Sequence, residues 1–168
     1  PTGKFNTNGT YIYKIFPEPA VGENTIVIYD IEDLMQWAWL VNHTDINYSA
    51  MFMANIELPA YEIADDNTKY YYTETPITVT DGIPSGSNWI TVGSLSNNNK
   101  YTEAIVEGYY HTIKGLMMNN SAGIISGFLG YCENIIVKDL TFDDAKLYST
   151  QQYCSPIAYV DDGSYIYN

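Results

Sequence analysis

Hydrophobic and polar positions along the chain fall into short runs. "TYIYKIF" (residues 10–16) alternates and "NTIVIYD" (24–30) is a brief apolar run, so residues 1–29 are expected to form extended strands. The period then changes. In "IEDLMQWAWLVN" (31–42), Ile31, Leu34, Met35, Ala38 and Val41 recur at the spacing of one helix face. Asp30 is the expected N-cap, with Asp33 three residues on as an approximate capping box. The helix is expected over 30–42, with Trp37 and Trp39 read as packing residues ahead of a ligand platform. "YSAMFMANIELP" alternates again, with Met51, Met53 and Asn55 on one side and Phe52, Ala54 and Ile56 on the other, which predicts a strand. Residues 60–88 hold no clean period and many turn formers. They read as an insertion with one hairpin around "KYYYTETPITVTDG", followed by "NWITVGS" as a strand ending in a turn.

From residue 100 the chain repeats itself: "GYYHTIKGLMMNN" (108–120), "GYCENIIVKDLTF" (130–142), "AYVDDGSYIYN" (158–168). Ile113 aligns with Val137 and Leu116 with Leu140, both at one common offset. Val137 aligns with Ile166, and Gly130-Tyr131 with Ala158-Tyr159, at somewhat longer offsets. Units this short cannot bury their own apolar face, so they must stack, and the period predicts an all-β solenoid. Ile113, Val137 and Ile166 are expected to form one inward column, and Leu116 and Leu140 another. Gly108, Gly115, Gly123, Gly127, Gly130 and Gly163 fall at expected corners, where positive φ or close backbone approach is needed. Lys114, Lys138 and Tyr167 are expected to face outward.

Composition narrows the partners. The chain has 168 residues, 46% of them hydrophobic, enough for one domain with a core and too apolar for a disordered chain. A single domain over 1–168 is expected, with strands in 1–29, the helix at 30–42, the insertion at 60–88 and repeats over 100–168. No apolar run approaches the roughly 18 residues of a membrane span, so no membrane insertion is expected. No secretory leader is visible, so an exported protein would be present here without it. Acidic residues outnumber basic ones 20 to 7, for a net charge of −13, and all seven basic residues are Lys. Without clustered Lys and Arg, nucleic acid is not an expected partner. Anionic membranes and acidic polysaccharides are disfavoured for the same reason. The 17 tyrosines suit strands and polar exposed surface.

Few residues suggest chemistry. Cys132 and Cys154 do not form a metal-type pair and read as ordinary buried thiols. Asp143-Asp144 and Asp161-Asp162 are the acids a hydrolase would use, but neighbours on a strand face opposite sides and both pairs fall at expected turns. His43 and His111 are possible bases with no nucleophile motif around them, and "GIISGFLG" is a repeat corner. Asp65, Asp66 and Asn67 offer oxygens to calcium but read first as a polar loop. No catalytic residue, metal or cofactor is therefore expected. The sharper candidates are Tyr70, Tyr71 and Tyr72 as binding residues, because exposed Tyr gives rigid contact area plus a hydroxyl. The plainer alternative is that they pack the insertion onto the repeats.

Taken in order, "IEDLMQWAWLVN", "MFMANIEL", "NWITVG", "EGYYHTIKGL" and "SAGIISGFLGYCENIIVKDL" resemble the GLUG-type β-helical repeat proteins of bacterial surfaces, common in gut Bacteroidetes. The resemblance covers roughly residues 29–168. Departures are Ala104-Ile105-Val106-Glu107-Gly108, where the family has Gly-Thr-Phe-Asp-Gly, Ala158 in place of Gly, and the long insertion. The resemblance implies a right-handed parallel β-helix with an N-terminal capping helix, export, and an extracellular or cell-surface role. It carries no catalytic set. The expected function is a non-enzymatic module for adhesion or ligand binding, toward a glycan or a host or surface protein. The alternatives are a secreted glycan-active hydrolase or lyase on the same scaffold, or a phage or fibre component. Lyases of this fold resemble sites with a basic proton acceptor, commonly Arg, which this chain lacks. "GSYIYN" stops within a repeat, so three readings stand: a chain that continues, a second chain contacting the open edge, or a truncated piece.

Overall fold

A computed structural model describes residues 24–93, 100–121, 125–150, 153–161 and 163–167, together with the backbone of Lys4–Phe5 and Tyr11–Ile12. Gly123, Asp162 and most of "TYIYKIF" lie outside the described residues. Lys4–Phe5 pairs antiparallel with Tyr11–Ile12, and Thr25–Ile28 is a strand, as the N-terminal pattern predicts.

The helix α1 spans Ile31–His43. Glu32 and Asp33 N–H both donate to Asp30 Oδ1, at 2.9 and 3.0 Å, so Asp30 caps it. Asp33 completes the box one residue further out than the motif usually does, accepting from Tyr29 N–H at 2.9 Å. Leu34, Trp37, Ala38 and Val41 are buried. Trp37 is packing, as expected: its Nε1 donates to Tyr48 O at 2.8 Å, and its ring meets Tyr101 edge-on and stacks on Phe128.

Everything described from Tyr101 onward is organised by parallel pairing. The largest sheet sets Thr25–Ile28, Ser49–Phe52, Ile105–Lys114, Ile136–Asp143 and Tyr165–Tyr167 side by side. One register line runs through Ile26, Ala50, Val106, Val137 and Ile166. Ala50, Val106 and Val137 are buried, whereas Ile166 on the last strand is 53% exposed. Three shorter rows pair the same way: Met117–Asn120 with Lys146–Ser149, Ile125–Ser126 with Tyr153–Cys154, and Tyr101–Thr102, Leu129–Glu133 and Ile157–Val160 in turn. In every row, from Tyr101 paired with Cys132 to Val137 paired with Ile166, equivalent residues return at nearly the same interval.

This register corrects part of the sequence alignment. Val137 pairs with Ile166 and Tyr131 with Tyr159, as predicted. Ile113, however, pairs with Phe142 and Leu140 with His111, so neither the Ile113–Val137 nor the Leu116–Leu140 column forms. The likeness of "TIKGL" to "IVKDL" misleads because one closes its strand and the other opens it. Between them lies a bulge. Glu107 still pairs with Lys138, but the next partners are His111 and Leu140, so one strand spends two more positions than the other on the same step. Tyr109 and Tyr110 occupy the bulge with φ of 48° and 63°. Gly108 enters it where a Cβ would sit 2.2 Å from Asp139 O, and Gly115 leaves the strand at φ 75°.

Three further expectations shift. "YSAMFMANIELP" is two strands, Ser49–Phe52 and Ile56–Glu57, because both pair with Ile105–Lys114 on either side of its bulge. Among the described residues of "NWITVGS", only Val92 makes a bridge, to Leu129. The insertion carries two hairpins in place of one. Tyr70–Pro76 pairs backwards with Tyr61–Asp65, and Val79–Thr80 pairs with Ile83–Pro84 across Asp81-Gly82.

The core is aromatic at its centre. Phe128 stacks between Trp37 and Trp89 and meets Phe142 edge-on. Trp89 Nε1 donates to Phe128 O at 2.9 Å, so the indole is satisfied inside the core. Cys132 is buried there as a free thiol, and burial pushes it up to about 12. Cys154 is also free but exposed, contrary to expectation, because its short strand lies at the surface of its row. Lys138 is likewise not simply outward: its Nζ pairs with the carboxylate of Glu107, which is 1% exposed.

Candidate functional site: an aromatic groove between helix and hairpin

The first hairpin owes its turn to two aspartates. Asp66 Oδ1 accepts from Thr68 Oγ1, Thr68 N–H and Lys69 N–H at 2.6, 2.9 and 3.0 Å. These bonds, the Thr68 hydroxyl first, hold the Asp66 carboxyl below the usual carboxylate range. Asn67 takes the left-handed position, and its N–H donates to Asp65 Oδ1 at 2.8 Å. The side-chain oxygens considered for calcium thus serve the turn itself. Among the described residues, no group of three or more His, Cys, Asp or Glu could hold a metal ion.

Leaving the turn, the strand Tyr70–Pro76 sets alternate side chains on opposite faces. Tyr70 and Tyr72 share one face, and it points inward, whereas the binding reading expects them exposed. Tyr70 is 4% exposed and its Oη accepts from Asn42 Nδ2 at 2.9 Å, while Tyr72 Oη donates to Asn88 O at 3.1 Å. Burial pushes the Tyr70 phenol up to about 12 and raises Tyr72 as well. Only Tyr71 of the three is exposed, at 40%. Packing thus accounts for much of Tyr70 and Tyr72, yet all three still line one surface feature.

That feature is a groove of about 570 Å³ between the hairpin and α1. Glu32, Met35, Gln36, Trp39 and Leu40 form the helical wall, at the i, i+3, i+4, i+7 spacing of a single face. Thr68, Lys69 and the three tyrosines form the other. His43 ties the walls together. Its ring stacks on Trp39 at 4.6 Å and 7°, meets Tyr70 edge-on, and places Nε2 2.8 Å from Asp65 Oδ2. Trp39 Nε1 is buried with no hydrogen-bond partner among the described residues. A groove of this volume, mostly apolar and aromatic with a few polar groups, has the make-up of a ligand site.

Elsewhere the sequence candidates do not converge. Asp143 pairs in register with Lys114, and Asp144 pairs with Lys146, which lowers its carboxyl. Asp161 accepts from Tyr131 Oη at 3.3 Å. His111 Nδ1 lies 3.3 Å from Asn55 Oδ1, far from a nucleophile motif. Another depression, of about 370 Å³ and largely apolar, lies beside the last strand against Phe142, Ile157 and Ile166.

Three features escaped the sequence reading. The helical wall of Glu32, Met35, Gln36, Trp39 and Leu40 takes Met35 from the predicted core face, and nothing local marked it as a wall. Asn42 bonds Tyr70 and Thr91 O and accepts from Gly93 N–H, joining helix, hairpin and the segment around Val92. Asn88, fully buried, donates to Pro59 O and Gly115 O and accepts from Met117 N–H. Compared with known proteins, the chain matches no family model, no curated protein and no solved structure.

Proposed function

We propose that the chain is a non-enzymatic binding module of the bacterial surface, built on a right-handed parallel β-helix of the GLUG type and taking a glycan or protein ligand in the α1–hairpin groove. The β-helix reading is supported by parallel strands that recur at a near-constant interval in four rows. The one observation that carries the function is the groove itself: four aromatic residues, Trp39 and Tyr70 to Tyr72, line about 570 Å³ beside a polar rim. A non-enzymatic reading is supported by Asp144 and Asp161, each engaged locally, by Lys146 and by Tyr131. Retaining or inverting hydrolysis needs two carboxyls facing each other across a bound sugar. The last strand, Tyr165–Tyr167, is where a further strand or a second chain would add.

The test is binding of the purified chain to arrayed glycans and to surface-protein extracts, with a depolymerisation assay on every hit. Binding that is weakened in Tyr71→Ala, with circular dichroism unchanged, is the expected result. Release of product from any glycan overturns the non-enzymatic reading.

A further inference from the structure

The groove's chemistry narrows its ligand. We infer that it takes an uncharged glycan, a sugar ring lying on the aromatic wall and its hydroxyls met by the rim; this rests on the binding role proposed above.

Two observations lead there. First, the phenol oxygens of Tyr70 and Tyr72 are already engaged by Asn42 and Asn88, so these rings offer the groove carbon rather than a free hydroxyl. His43 covers one face of Trp39, leaving at most the other for a ligand. Tyr71, the exposed member, also lines the groove. Planar carbon surface of this kind suits the C–H face of a pyranose.

Second, the polar rim is balanced. Glu32 and Lys69 carry opposite charges, and Gln36 and Thr68 are neutral. An anionic ligand would meet only one Lys on a chain of net charge −13. A cationic ligand would meet Glu32 but also Lys69 at the groove itself. A polyol can use carboxylate, amide, hydroxyl and ammonium together, since each hydroxyl both donates and accepts. The buried Trp39 indole N–H, without an acceptor among the described residues, is a further donor that a ligand hydroxyl satisfies if the ring tilts toward the groove.

The experiment is titration calorimetry of the whole chain with three probes: neutral oligosaccharides, sialylated or uronic-acid oligosaccharides, and a Lys-rich peptide. Binding confined to the neutral probes is expected. Tyr71→Ala should weaken it by roughly tenfold and Tyr71→Phe by much less, as for ring stacking. Glu32→Gln should weaken it without admitting acidic glycans. Tighter binding of the acidic probes or the peptide, abolished by Tyr71→Ala, would overturn the neutral-glycan assignment and leave the binding role standing. Neutral-glycan binding indifferent to both Tyr71→Ala and Gln36→Ala would remove the groove from both proposals. Binding of none of the three probes overturns the present inference, and the wider array above then decides the other.

Discussion

The parallel rows and the α1–hairpin region solve opposite problems. In the rows, each strand meets its equivalent one repeat further along the chain, and like side chains fall in line, as Val106, Val137 and Ile166 do. Inward positions on the middle strands, such as Val106 and Val137, are constrained by strands on both sides, which leaves them little freedom for a ligand site. In the hairpin region, pairing is antiparallel and local, and Asp65 to Lys69 set the turn. No repeat restrains it, so its outer residues can be shaped by a ligand. Aromatic rings occur in both places. In the core Phe128 is sealed between Trp37 and Trp89, whereas Tyr165 and Tyr167 at the edge of the rows are exposed. In the hairpin they line open space.

If that contrast is sound, equal truncations should have unequal effects. Phe128→Ala removes the centre of the buried stack and should cost about 3–5 kcal/mol in urea unfolding. Tyr71→Ala removes a ring of similar size at 40% exposure and should cost less than about 0.5 kcal/mol. Similar losses from both would erase the distinction between scaffold and site. Next in size is the Glu107–Lys138 pair. Lys138→Met leaves a buried carboxylate without its cation and should cost about 3 kcal/mol, the low end for buried pairs because Lys138 is partly exposed. The double change Glu107→Leu with Lys138→Met should recover most of that loss. Failure to recover would mean that Glu107 is needed by more than its lysine, Tyr109 N–H being the other group it accepts from, at 3.3 Å.

Asn42 joins the two regions, so its effect should be intermediate and divided. Asn42→Ala frees Tyr70 Oη, Thr91 O and Gly93 N–H together. About 1–2 kcal/mol of stability should go, since Asn42 itself is only half-buried and water entering its place can replace some of the bonds. Ligand affinity in the groove should fall as well, because Tyr70 loses its anchor. A stability loss with unchanged affinity would show that Tyr70 is fixed by packing against His43 alone.

What the sequence disclosed follows the same division. The helix was legible because its signals are local: Asp30 caps it, and Leu34, Ala38 and Val41 recur on one face. Parallel repetition was legible from Tyr131 and Tyr159, which do lie in register. The exact register before that was not, since the bulge at Tyr109-Tyr110 is fixed by the neighbouring strand and not by its own sequence. One hairpin was expected around "KYYYTETPITVTDG" and two form, because each half of that stretch pairs with residues outside it, Tyr70–Pro76 with Tyr61–Asp65 and Val79–Thr80 with Ile83–Pro84. The burial of Tyr70 and Tyr72 depends on Asn42 and Asn88, partners distant in the chain, which no periodicity reveals. The groove needs two such elements at once.

The smallest effect is kinetic and requires no change of the chain. Cys154 is exposed and should react with a disulfide reagent in the native state. Its partial burial raises the thiol, so the reaction should be slower than that of free cysteine at the same pH. Cys132 is buried beside Tyr101, with its thiol pushed up to about 12, and should react only when the rows open. Its labelling rate therefore reports the opening of the rows and is blind to the hairpin. Phe128→Ala should accelerate it by about two to four orders of magnitude, the kinetic counterpart of the expected loss in stability. Tyr71→Ala should leave it unchanged. Rapid labelling of Cys132 in the unaltered protein would mean that its row opens locally, and the rows would then be a looser frame for the groove than their register implies.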